Sequence, residues 1–145
     1  MRILALFFFA AAAFGRTRIA PTQELLEADL VIAQAAWGAP ADISGIAMGL
    51  LNDCAAPNEP AGWSDLVTRL ITINSACLWD DELLQVAVTH EYGHMVLCSS
   101  VHSLDRRSVM YSRLRRGQRV MPEDLERVRE LQERIRPTIL MPHLP

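Results

Sequence analysis

The sequence predicts an α+β fold in a single small domain, and three observations carry that prediction. Two segments, at Leu26–Trp37 and Leu125–Ile135, space their apolar residues at helical intervals. A third, beginning at Asp80-Asp81, carries the largely apolar run Leu83-Leu84-Gln85-Val86-Ala87-Val88-Thr89. Between the first helix and this one lie short runs with strand character, the clearest being Leu70-Ile71-Thr72-Ile73-Asn74, which alternates and is rich in β-branched residues. At 145 residues, half of them hydrophobic, the chain can bury one core and is not a disordered polymer.

The first residues read as a targeting segment. Arg2 supplies a positive start, Ile3 to Phe14 is a twelve-residue apolar stretch, and Ala11, Ala12, Ala13 and Gly15 offer small residues for cleavage. Twelve residues fall short of the ~20 that span a bilayer. The expectation is a signal peptide over 1–15, a domain over 16–145, and a secreted or periplasmic location. A buried first strand or a retained anchor is the alternative.

Thr22 is placed to cap a helix over Gln23–Trp37, with Leu26, Leu30, Ala33 and Trp37 as its apolar stripe. Gly38-Ala39-Pro40 ends it. Ile43–Leu51 reads as a buried strand, and Asn52–Gly62, with Pro57 and Pro60, as a loop. Strand 70–74 follows. Asp80 and Asp81 suit the start of a helix through their side-chain acceptors and charge, and that helix should reach about Cys98. Residues 99–121 look irregular. Pro122, Glu123 and Asp124 open a last helix, with Leu125, Val128, Leu131 and Ile135 expected to be buried; Pro137 stops it, and 136–145 is a loose tail.

Charge is uneven. Residues 17–104 hold two arginines against eleven acids, residues 105–145 hold ten against six, and there is no lysine. Arg106, Arg107, Arg113, Arg115, Arg116 and Arg119 form a basic run, but no aromatic platform accompanies it, so a solvated face is expected rather than nucleic-acid binding. No stable membrane span is expected, and the chain is read as a monomer. Cys54, Cys77 and Cys98 allow one bridge. Cys77 and Cys98 bracket a continuous helix and would stand too far apart, which favours Cys54–Cys77. Three free cysteines are the alternative.

The chain has four histidines, His90, His94, His102 and His143, and two of them form His90-Glu91-Tyr92-Gly93-His94. On a helix, positions i and i+4 share a face, so two imidazoles can hold one Zn²⁺ at about 2.0–2.1 Å. Glu91, beside the first ligand, can serve as general base towards a water at the metal. The same pentapeptide also arises in helices whose histidines are merely caps or surface residues. The apolar helix before it and the third histidine after it argue for metal. His143, in the tail, is expected at the surface.

The stretch from His90 to Tyr111 resembles the metzincin metallopeptidases, matrixin-like members in particular, which show H-E-x-G-H-x-x-G-x-x-H-S and then a methionine turn of the type S-x-M-Y. Here His102-Ser103 and Ser108-Val109-Met110-Tyr111 follow the motif, with eight residues from His102 to Met110, as in matrixins. Trp79, Pro122-Glu123-Asp124-Leu125 and Leu30–Trp37 are similar to flanking pieces of that family.

The resemblance implies a zincin-like domain with a reduced twisted sheet packed on an N-terminal and an active-site helix, plus a C-terminal helix. It implies zinc held by His90, His94 and His102, with Glu91 as the catalytic base. Met110 would form an apolar floor, Tyr111 would pack nearby or hydrogen-bond near the site, and the substrate would be a protein or peptide. Two departures stand out. The third histidine comes twelve positions after the first, where the family has ten, and Leu97 stands where the family has glycine. The longer spacing would let the helix continue and the chain reverse gently through Ser99-Ser100. Asp105 is the nearest substitute ligand. Two further readings remain: a gluzincin-like hydrolase with Glu123 or Glu126 as third ligand, and a non-catalytic binding protein on a degraded peptidase scaffold.

Overall fold

The computed structural model describes residues 18–55 and 59–135. The export segment 1–15 and the tail with His143 lie outside the described residues, as do those expectations. Within them the element order is α1 (Gln23–Trp37), β1 (Gly45–Gly49), β2 (Gly62–Asp65), β3 (Leu70–Asn74), α2 (Asp81–Leu97) and α3 (Pro122–Ile135). This is a small α+β domain of three helices and one three-stranded mixed sheet.

α1 starts where its cap dictates. The Thr22 hydroxyl accepts the Leu25 N–H at 3.3 Å, which satisfies one of the helix's open donors. It ends at Gly38, whose φ of 58° needs no Cβ and whose N–H returns to the Gln34 carbonyl. Leu26, Ala33 and Trp37 are buried and Leu30 is half-buried, as the periodicity requires. The Trp37 indole N–H donates to the Thr89 carbonyl at 2.9 Å and locks α1 across α2.

β3 is the central strand. β1 lies parallel to it, with Ile46 opposite Ile71, and β2 antiparallel, with Ser64 opposite Ile71. Ile71 and Ile73 are fully buried, so one face of β3 packs on the helices. Each such side chain contributes about 1.5–3 kcal/mol. β1 is shorter than the apolar run 43–51, and in it only Ile46 is buried. β2 corrects the sequence reading, which ended a loop at Gly62 and placed no strand there. Gly-Trp-Ser-Asp has no β-branched residue, and it is extended because β3 satisfies its backbone.

The Cys54–Cys77 bridge is present, with Cα atoms 5.1 Å apart, and Cys98 is free and exposed. The bridge joins the chain leaving β1 to the chain leaving β3. Closing a loop of this size in the unfolded chain is worth about 3 kcal/mol.

α2 is the axis of the domain. Asp80 accepts the Leu83 N–H at 2.9 Å and pairs with Arg116, while Glu82 accepts the Gly117 N–H at 3.0 Å. From Val86 to Leu97 every residue is buried, because α1, the sheet, α3 and the 99–121 segment surround the helix. The gentle reversal expected after it does not occur. α2 stops at Leu97, and Cys98 turns the chain with φ 45°, a left-handed conformation costing a non-glycine residue about 1–2 kcal/mol. The Ser99 N–H closes that turn on the His94 carbonyl at 3.2 Å.

Residues 99–121 form no helix or strand but are organised by two isolated bridges, Ser103 with Tyr111 and Ser108 with Arg119. They lead into α3, where the Asp124 carboxylate accepts the Met121 N–H at 2.9 Å and the Ser108 hydroxyl at 2.8 Å. The predicted stripe of α3 is only partly realised. Val128 is buried, Leu131 is half-buried, and Leu125 and Ile135 are exposed. The helix rests on α2 through one narrow seam, with the buried acid Asp124 taking the place at its start expected of Leu125.

Candidate metal centre

Three of the four predicted site residues sit on α2, and one reaches them from the following segment. His90 and His94, one turn apart, are buried with their Nε2 atoms 3.1 Å apart. His102 is more exposed, and its ring centroid lies 5.2 Å from that of His90 and 5.0 Å from that of His94. One ligand atom from each of the three lies within 4.8 Å of the others, close enough to bind a metal ion. Two nitrogens bound tetrahedrally to one zinc would be separated by about 3.4 Å, near the spacing found here.

The hydrogen bonds of the rings identify the atoms available. His90 Nδ1 is 2.6 Å from the Val109 carbonyl, and His94 Nδ1 is 2.6 Å from the Ser99 carbonyl. A carbonyl only accepts, so each Nδ1 carries the proton and each Nε2 presents a lone pair. Two lone pairs facing each other at 3.1 Å cannot share a hydrogen bond, and a cation held between them would resolve the repulsion. Burial holds the rings neutral. It pushes His90 down to about 4, against the raising effect of the Val109 carbonyl, and it lowers His94 and His102 as well. Neutral imidazole is the ligating form, so the donor set fits a borderline-soft divalent ion such as zinc.

Glu91 is buried beside the first imidazole. Desolvation raises its carboxyl to about 7, while the Ser64 hydroxyl, donating to Oε2 at 2.6 Å, acts the other way. Met110 is fully buried beneath the helix. A Cβ at Gly93 would come 2.4 Å from its sulfur and 2.3 Å from Trp37 Cζ2, so the glycine of the motif is there to let both approach. A sequence signal for this existed: glycine inside a helix costs about 1 kcal/mol against alanine and implies a packing reason.

Tyr111 is half-buried, and the Arg115 guanidinium lies 5.9 Å from its ring centroid. The substitute ligands stand elsewhere. Asp105 pairs with Arg107, Glu126 pairs with Arg129, and Glu123 is exposed. None of them joins the three histidines. Ser103 and Ser108 serve the turns, Ser103 through its N–H to Met110 and Ser108 through Asp124. Two residues were missed: Ser64, for which the sequence holds no signal, and Gly62, whose Cβ would meet Glu91 Cγ and Oε1 at 2.8 Å.

A cleft of about 1240 Å³ opens over the three histidines and Glu91, lined by β2 and by residues 112–115. No helix among the described residues is long and apolar enough to cross a membrane. Set beside known proteins, the chain matches no family model, no curated protein and no solved structure.

Proposed function

We propose that the protein is an exported zinc-dependent endopeptidase of the metzincin type. The observation that carries this reading is the convergence of three neutral imidazoles, two with Nε2 freed by carbonyl partners, beside a buried carboxyl at an open cleft. His90, His94 and His102 would hold the ion. When bound, zinc supplies a Lewis acid that polarises a scissile carbonyl and acidifies a water.

The chain's own residues do the rest. Glu91, in a setting that keeps its proton affinity near neutrality, takes a proton from the attacking water and returns it to the leaving amine. The Val109 and Ser99 carbonyls fix the tautomers and orientations of the first two ligands. A protein or peptide substrate would lie in the cleft of about 1240 Å³ that opens over the histidines and Glu91. Export rests on the composition of residues 1–15, and material recovered from a secreting host should begin between Arg16 and Arg18.

The test couples metal content to peptide cleavage. The purified protein should carry one zinc per chain and cleave a mixed peptide library, with both lost on chelation and restored by zinc. Zinc binding without cleavage would leave the non-catalytic binding protein standing.

A further inference from the structure

We infer that Ser64 is the positioning residue for Glu91, and that β2 is a cradle shaped to hold the Glu91 carboxylate in one orientation. The inference rests on the reading of Glu91 as the general base. On a strand, residues two apart share a face. Gly62 and Ser64 therefore point the same way, and Ser64 stands opposite the buried Ile71, on the side where α2 packs. The Ser64 hydroxyl lies 2.6 Å from Glu91 Oε2 and 2.8 Å from the Glu91 carbonyl. It has one proton for two acceptors. A charge-assisted bond to a carboxylate is the shorter and stronger choice.

Gly62 completes the cradle. Its missing side chain leaves the space in which Glu91 Cγ and Oε1 lie, and a Cβ there would approach each to 2.8 Å. The strand thus engages Oε2 through a hydroxyl and leaves Oε1 as the oxygen free to accept a proton. A carboxylate rotated by a fraction of a turn would present neither oxygen at the right angle, and base catalysis depends on that geometry before it depends on basicity.

A purely structural role would have Ser64 merely tie β2 to the α2 backbone. Steady-state kinetics on Ser64→Ala and Ser64→Thr, with zinc content and melting temperature measured beside them, separate the two. Ser64→Ala should lower kcat about 10- to 100-fold, a part of the ~10²–10⁴ that a general base supplies. Its KM should stay within about twofold and zinc at one per chain. Ser64→Thr, which keeps the hydroxyl, should recover kcat to within about threefold of wild type. A wild-type kcat in Ser64→Ala overturns the inference, and so does a loss in both variants that tracks melting temperature or zinc. If zinc-loaded wild type cleaves nothing while Ser64→Ala keeps its fold, the peptidase reading itself has failed, and the positioning role falls with it.

Discussion

The backbone N–H of Ser103 donates to the carbonyl of Met110 at 2.7 Å, so the residue after the third histidine and the buried methionine belong to one hydrogen-bonded unit. That unit explains how a histidine spaced twelve residues from the first still reaches the other two. The left-handed turn at Cys98 sends the chain back along α2, and the bond from Ser103 to Met110 then holds His102 close to the helix.

From this geometry His102→Ala should weaken zinc binding at least tenfold, whereas Asp105→Ala and Glu123→Ala should leave it within about twofold, since neither carboxylate converges on the site. Competition against a chromogenic zinc chelator reads the three affinities. Weakening by Glu123→Ala alone would favour a gluzincin-like ligand set.

Glu91→Gln should keep one zinc per chain and lose about 10²–10⁴ in kcat, because an amide cannot take the proton. The glutamine still fits beside Gly62 and can still accept from Ser64, so the fold should be unchanged. Cleavage at the wild-type rate would remove Glu91 from the mechanism.

Gly93→Ala should destabilise the domain by about 1–3 kcal/mol, the usual range for forcing a methyl group into a packed core. The new carbon would sit at impossible distances from both the Trp37 ring and the Met110 sulfur. Urea unfolding midpoints compare the variant with wild type. An unchanged midpoint would mean that Trp37 and Met110 are not tightly seated against Gly93.

Asp29 gives a pH dependence. Desolvation on half-buried α1, with a smaller contribution from the Asp81 charge, raises its carboxyl from 3.8 to about 6. Above about pH 4 the unfolded chain ionises this group freely and the folded chain resists, so folding stability falls as pH rises through about 6. Asp29→Asn should therefore raise the melting temperature at pH 7 and change nothing below about pH 4. Two pKa units correspond to about 2.7 kcal/mol, and solvent access to the carboxyl reduces the gain to about 1 kcal/mol. An equal rise at both pH values would refute an ionisation origin.

Much of the scaffold was legible because its signals are local. Thr22 and Asp80 cap where they stand, Gly38 closes α1, and Ile71 and Ile73 alternate inward. The His90–Glu91–His94 geometry follows from helical spacing alone, and His102 was legible as a partner because it is the one other histidine that closely follows the motif. What escaped depends on partners remote in sequence. β2 is a strand only because β3 lies beside it, and Ser64 matters only because that strand lies against Glu91. The stripe of α3 was overestimated for the same reason: periodicity shows which residues share a face but not how wide a surface awaits them. The tight reversal at Cys98 is not legible in the sequence, because the cost of a left-handed cysteine is offset by bonds to His94 that no composition reveals.

The carbonyls that orient the first two imidazoles come from Ser99 and Val109, on irregular chain rather than on α2. An ion bound by all three histidines would therefore act as a clamp between the helix and the 99–111 segment, and its binding energy would be spent partly on ordering that segment. By mass action, zinc at a thousand times its dissociation constant adds about 4.1 kcal/mol to the folded state. Chelation should release that stabilisation unevenly, opening 99–111 to proteolysis and amide exchange well before α1 or the sheet. Metal supply would then govern the lifetime of the protein as well as its chemistry.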